Sequence, residues 1–202
     1  CQLLLSPEVQ FLVATGCRDL RVRGFEVDFS PLPFVPGVVV GVDKDRHAID
    51  VRVAPGYEAP APGSESRLER PGECFGWIVP EGETGNRGHY FVERFATAPG
   101  VSDEQVVRLF AQRRIFSKFE GAGIAVGSRV SVPAPGAAHL RRRFMQIESC
   151  LNPTIEDLDI WTAPYFVFNF RDNEGTILVR NVRIVPKPGS GQLMSSGRDG
   201  FH

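Results

Sequence analysis

Apolar and polar residues alternate with a period of two along most of the chain, the pattern of half-buried β-strands. Leu20 and Val22 alternate with Arg21 and Arg23. After Gly24 the phase flips, and Phe25, Val27 and Phe29 alternate with Glu26 and Asp28. A slip of one residue at a glycine predicts a β-bulge. Val38–Val42 and Ala48–Val53 flank the polar run Asp43-Lys44-Asp45-Arg46, which predicts a hairpin. Cys74–Val79 and His89–Phe95 read as strands around the turn Pro80–Gly88, and Gly127–Val132 and Leu140–Ser149 as two more. Phe166, Phe168 and Phe170 alternate with Val167 and Asn169. Asp172–Gly175 then makes a turn, and Thr176–Val185 returns with a second phase slip near Arg180-Asn181 before Pro186 ends it.

Helix signals are few. Ser6-Pro7-Glu8 offers a cap, a proline suited to the first helical position and an acid at the positive end of the dipole, so a helix is expected over Pro7–Thr15. Ser102-Asp103-Glu104-Gln105 has the form of a capping box and predicts a second helix over Ser102–Gln112. Thr154–Leu158 has room for one helical turn. The expected fold is mainly β, an antiparallel β-sandwich or jelly roll with these short helices at its periphery, and a partly open β-barrel is the alternative. One domain is expected over residues 1–202, with a long Pro/Gly-rich surface loop at 54–73 and an extended tail at 187–202. No repeat of fixed period is visible.

Composition supports strands joined by turns. The 202 residues include 21 Gly, 16 Pro and 15 Phe, and both Gly and Pro disfavour helix interiors. The net charge of −1 supplies no global field toward nucleic acid or an anionic surface. No apolar run, Leu3–Leu5 and Val38–Val40 included, is long enough to cross a bilayer. A soluble protein is expected, with no signal peptide visible and the compartment unknown. Cys1, Cys17, Cys74 and Cys150 form no C-x-x-C pair, which argues against structural zinc. Free thiols are expected over disulfides, although four cysteines allow three pairings.

The motifs of common enzyme classes are missing: there is no Walker A, no G-x-G-x-x-G opening a helix, no G-x-S-x-G and no H-E-x-x-H. No cofactor is expected. His89-x-x-x-Glu93, with Gly100 seven residues on, is the best metal candidate, because an even separation on a strand puts both side chains on one face. The spacing resembles part of the first cupin motif and implies a metal-dependent enzyme centred on His89 and Glu93. It departs from that family where Arg87 stands in place of the first histidine. His47 with Asp43, Asp45 and Asp50 is a second His-carboxylate set, also explained as turn chemistry. Arg141 and Arg143 share a strand face and can clamp an anion, while Arg142 faces away.

Trp161 through Pro186 resembles the closing strands of jelly-roll carbohydrate-binding modules. That resemblance implies a saccharide or small ligand, with Trp77, Trp161 and Tyr165 as stacking platforms. The Gly/Ser-rich tail has the composition of a floppy segment, so its order would need its own body or another chain to hold it. The leading expectation is therefore a non-catalytic structural or interaction module. It would act as a subunit of an oligomer or larger assembly of protein chains, with contacts through Gln192, Leu193, Met194 and Phe201. Nucleic acid is disfavoured as a partner.

Overall fold

Strands are the only regular elements among the described residues of the computed structural model, which are 2–5, 10–29, 34–63, 75–83, 88–111, 124–134, 144–161, 163 and 166–193. The chain is mainly β, with several sheets. The sequence reading drew one domain; the fold groups into two compact units, Cys1–Pro33 with Leu140–His202 and, between them in sequence, Phe34–His139.

The first unit is built from stacked parallel strands. β1 (Gln2–Leu5), β3 (Arg21–Phe29), β11 (Thr154–Trp161) and β13 (Leu178–Val185) form one sheet in the order β1-β3-β11-β13. β2 (Leu12–Thr15), β10 (Met145–Glu148) and β12 (Phe168–Arg171) form a second, with β10 central. Every pair in both sheets is parallel. Arg18, Leu151 and Glu174 bridge in parallel between the two sets. The chain thus winds as successive coils, in the manner of a β-solenoid, and side chains bonded between coils consecutive in sequence, such as Gln2 with Glu26 and Glu156 with Arg180, stand 24 residues apart.

The corners of the coils repeat as well. Gly16, Ser149 and Asp172 have φ of 67°, 52° and 51°; Asp19, Asn152 and Gly175 have 50°, 52° and 73°; Gly24, Asp157 and Asn181 have 79°, 57° and 50°. The strand registers align each trio in one column. Asn and Asp tolerate this left-handed conformation better than other side chains. Both phase slips read from the sequence, at Gly24 and at Arg180-Asn181, are members of the third column. They are bends shared by three coils.

Inward residues also stack in rows. Leu12, Met145 and Phe168 form one row, Val22, Ile155 and Val179 a second, and Val27, Ile160 and Ile184 a third. Middle-coil residues Met145, Ile147, Ile155, Leu158 and Ile160 are wholly enclosed, whereas Phe170, Val179, Val182 and Ile184 of the last coil are half-buried. Phe166 and Phe168 are buried and Phe170 half-buried, as the alternation requires. Two sheets facing one core keep the layered expectation. The antiparallel jelly roll does not hold in this unit, because β12 and β13 belong to different sheets and never pair.

The second unit is a closed barrel in the order β4-β5-β8-β7-β6-β9, with every neighbour antiparallel. Its strands are β4 (Phe34–Asp43), β5 (Ala48–Val53), β6 (Phe75–Val79), β7 (Gly88–Thr97), β8 (Val106–Ala111) and β9 (Arg129–Pro133). Val39, Val51, Ile78, Val107, Leu109, Val130 and Val132 fill the interior. Opposite that interior, Arg108 is anchored to Asp50 through Nε (2.7 Å) and an Nη (2.8 Å) and to Asp43 through its other Nη (3.0 Å). These bonds, Asp50's above all, raise the guanidinium pKa against the opposing effect of burial. Closure goes beyond the partly open barrel of the sequence reading. Of the 54–73 loop, residues 54–63 run as turns and coil; 64–73 lie outside the described residues.

The expected helices are corrected where residues are described. Leu12–Thr15, the end of the Pro7–Thr15 helix, is β2, and 6–9 lie outside the described residues. Ser102–Gln112 contains β8. Its capping-box pattern closes only one turn, with Asp103 accepting from the Gln105 N–H (3.0 Å) and the Val106 N–H (2.9 Å), after which β-branched Val106 and Val107 enter the barrel. Thr154–Leu158, expected as a helical turn, opens β11. In each place pairing with a distant strand overrides a local signal.

The corner columns make a differential prediction. A Cβ on Gly175 would meet Asn152 Oδ1, which accepts the Thr176 N–H at 3.1 Å. Gly175→Ala should lower the unfolding free energy by about 2–4 kcal/mol, combining left-handed strain with the clash. Gly24→Asn, at a position with open space and Asp157 and Asn181 as column neighbours, should change it by less than about 1 kcal/mol. Urea denaturation of both variants measures the contrast.

A charged outer face as candidate functional site

Alternation on β3, β11 and β13 sends one set of side chains into the core and the other outward, in three rows. The first row is Arg23, Glu156 and Arg180. Glu156 is buried between two exposed arginines; Arg180 Nε donates to its Oε2 at 2.7 Å, and an Arg23 Nη lies 3.7 Å from its Oε1. The second row is Glu26, Asp159 and Arg183. Arg183 grips Asp159 with two hydrogen bonds, 2.5 and 2.7 Å, and Gln2 donates to Glu26 at 3.1 Å. The third row is Asp28, Trp161 and Val185.

Asp28 stands out chemically. Its side chain is 6% exposed and pairs with Lys187 at 2.5 Å. Its other oxygen, Oδ1, is buried without a hydrogen-bond partner among the described residues. Beside it in register, Trp161 is half-buried, and the Arg183 guanidinium lies 5.9 Å from its ring centroid. Carboxylates, guanidinium, ammonium and an indole therefore meet on one face of three coils. The hydrogen bonds from Arg183 hold the Asp159 carboxyl below its ordinary value, outweighing desolvation, and Asp159 raises Arg183 in return.

The other residues singled out from the sequence are distributed elsewhere. Trp77, half-buried on β6, is the register partner of His89 on β7. Glu93 lies on the same strand, where the register against β8 shifts between Val92 and Arg94, so even spacing no longer fixes a shared face for His89 and Glu93. The side chains of both lie outside the described residues, as do Arg141, Arg143, Tyr165, Met194 and Phe201. His47 has φ 51° in the β4–β5 turn, and Asp43 and Asp50 on the two flanking strands are engaged by Arg108. Among the described residues no group of three or more His, Cys, Asp or Glu is placed to hold a metal ion.

The tail to Leu193 has partners in its own unit. Lys187 joins Asp28, the Ser190 hydroxyl donates to the Lys187 carbonyl at 2.6 Å, and Gln192 is buried with Leu193 half-buried. Asp28, Glu156, Asp159, Arg183 and Lys187 were missed as a group from the sequence. The available signal was opposite charge at a spacing of 24: Glu156 with Arg180 and Asp159 with Arg183. No described helix is long and apolar enough to cross a membrane.

No protein-family model matches the chain, and no curated protein matches it.

The Asp159–Arg183 pair gives a pH signature. The folded-state carboxyl pKa is depressed, so the pairing acts at full strength above the unfolded value and is lost as pH falls through the folded one. An NMR carboxyl titration should place Asp159 below 3.8, and Arg183→Leu should move it back up toward that value.

Proposed function

We propose that the chain is a carbohydrate-binding module that takes saccharides on the outer face of β3, β11 and β13. The observation that carries the reading is the alignment of Trp161 with Asp28 in one row, next to the Asp159–Arg183 pair in the adjoining row. An indole offers a flat apolar surface for the C–H face of a pyranose ring, and its polar edge suits a wet interface. Carboxylates and a guanidinium around it supply directional acceptors and donors for ring hydroxyls. Such a site needs few residues because specificity comes from placed polar groups beside an apolar platform. Asp28 Oδ1 is an enclosed acceptor beside this platform, held in place by packing and by Lys187 on its partner oxygen, and it would serve a hydroxyl once its cover shifts on binding.

A glycan array followed by calorimetry tests this. The expected outcome is binding of at least one saccharide class by the native chain, with Trp161→Ala weakening it about tenfold or more. An array without binding, or equal affinity for Trp161→Ala, would overturn the reading.

A second reading, an interaction module within an assembly, rests on a different observation. The inner residues of the last coil, Val179, Val182 and Ile184, are only half-buried on β13, the edge strand of its sheet. Strand edges are templates for pairing with another chain. Light scattering should then show a species larger than one chain, and Val182→Lys should reduce it to one. A native chain that stays monomeric at high concentration removes this reading.

A further inference from the structure

We propose that Cys17 and Cys150 form a reversible disulfide that locks the first coil to the second. Both are free thiols in this structure. They occupy the same column, since the Leu151 N–H donates to the Cys17 carbonyl at 2.8 Å, one residue before the Arg18–Leu151 bridge. Parallel neighbours in register lie about 4.8 Å apart, inside the roughly 4.4–6.8 Å Cα separation that a disulfide spans.

The sulfurs are oriented alike. Cys17 Sγ lies 3.7 Å from the Thr15 carbonyl oxygen, and Cys150 Sγ lies 3.4 Å from that of Glu148. Thr15 and Glu148 are register partners, so each thiol folds back over the same step of the ladder. Cys150 Sγ also reaches the Ala14 carbonyl at 3.7 Å, on the coil of Cys17. The next member of the column is Asn173. It accepts the Cys150 N–H at 2.8 Å and donates to the Ile147 carbonyl at 2.9 Å, which fixes the backbone around Cys150.

The two thiols differ in access: Cys17 is half-buried and Cys150 is 1% exposed. That division suits stepwise exchange with a small-molecule disulfide such as oxidised glutathione. The Cys17 thiolate attacks one sulfur of the oxidant, forming a mixed disulfide and releasing one thiolate. Cys150 then gives up its proton and attacks Cys17 Sγ. The intramolecular bond forms, the second glutathione leaves, and the leaving thiolates take up the protons. Two protein thiols are oxidised and one glutathione disulfide is reduced to two thiols. Desolvation and the neighbouring Cys150 hold the Cys17 thiol above its ordinary value. The first step should therefore quicken about tenfold per pH unit on the approach to the thiol pKa.

The test uses the full chain carrying Cys1→Ser and Cys74→Ser, treated with oxidised glutathione near pH 9. Intact mass should fall by two hydrogens, non-reducing proteolysis should yield one crosslinked peptide joining positions 17 and 150, and the oxidised chain should need more denaturant to unfold than the reduced one. With Cys150→Ser added, Cys17 should stop at the mixed disulfide and carry one glutathione. A stable glutathione adduct without crosslink when both cysteines are present would overturn the proposal. So would thiols that stay unreacted in the folded chain while the denatured chain reacts.

Discussion

The parallel backbone ladder between successive coils is the constraint on which the first unit depends. It brings each residue against the residue one coil away, so every column must be compatible with its own repetition. Apolar columns satisfy this by burial, as Val27, Ile160 and Ile184 do. A column of like charges would repel itself; the first outer row alternates in sign, with Glu156 between Arg23 and Arg180, and in the second, where Glu26 and Asp159 are neighbours, Arg183 pairs with Asp159 and Gln2 donates to Glu26. The left-handed corners obey the same rule. A bend in one coil must be matched in the next or the ladder breaks, which is why Gly, Asp, Asn and Ser share these columns.

The legible part of the fold was the part whose partners are close in sequence. The β4–β5 hairpin was readable because a polar run turns directly between two apolar segments, and Arg46 N–H to Asp43 Oδ1 at 3.1 Å is the local bond that closes it. Period-two alternation located strands in both units, since it depends on which face is buried and not on which strand lies alongside. Pairing was another matter. Asp19 and Asn152 bond across neighbouring coils yet stand 133 residues apart, because the barrel is inserted between those coils. The insertion interrupts the 24-residue period after its first appearance, and the polar columns vary in residue type, so self-similarity does not surface in the sequence. The helix expectations failed for a related reason. Caps and turns use the same short polar side chains, and Asp103 serves a single turn as readily as it would start a helix.

The candidate site divides along the same line. Trp161 was identifiable as an aromatic in a closing strand. Its neighbours were not, because Asp28 arrives from the first coil and Arg183 and Lys187 from the third. A surface of this kind is rigid by construction: Asp28, Asp159, Trp161 and Arg183 stand on strands hydrogen-bonded on at least one side, and Asp28 and Asp159 are held by Lys187 and Arg183. Rigid placement of a few polar groups beside an apolar platform favours recognition of a small polar ligand, since little ordering remains to oppose binding.

The contrast between the two buried acids sharpens that argument. Glu156 has both oxygens facing arginines whose side chains are 67% and 66% exposed, so its charge is satisfied by groups that reach over it from solvent. Asp28 has a cation on one oxygen only, and its Oδ1 is enclosed. Burying a carboxylate oxygen without a hydrogen bond costs on the order of 1–3 kcal/mol. A fold that needed only charge balance across its coils would use the Glu156 arrangement throughout. On the proposed reading, the Asp28 arrangement leaves an acceptor with unspent bonding capacity beside Trp161, and a ligand hydroxyl would recover that cost once the packing over Oδ1 gives way. On that reading, this asymmetry within one sheet assigns ligand contact to the Asp28–Trp161 row and leaves the Glu156 row to hold the coils together.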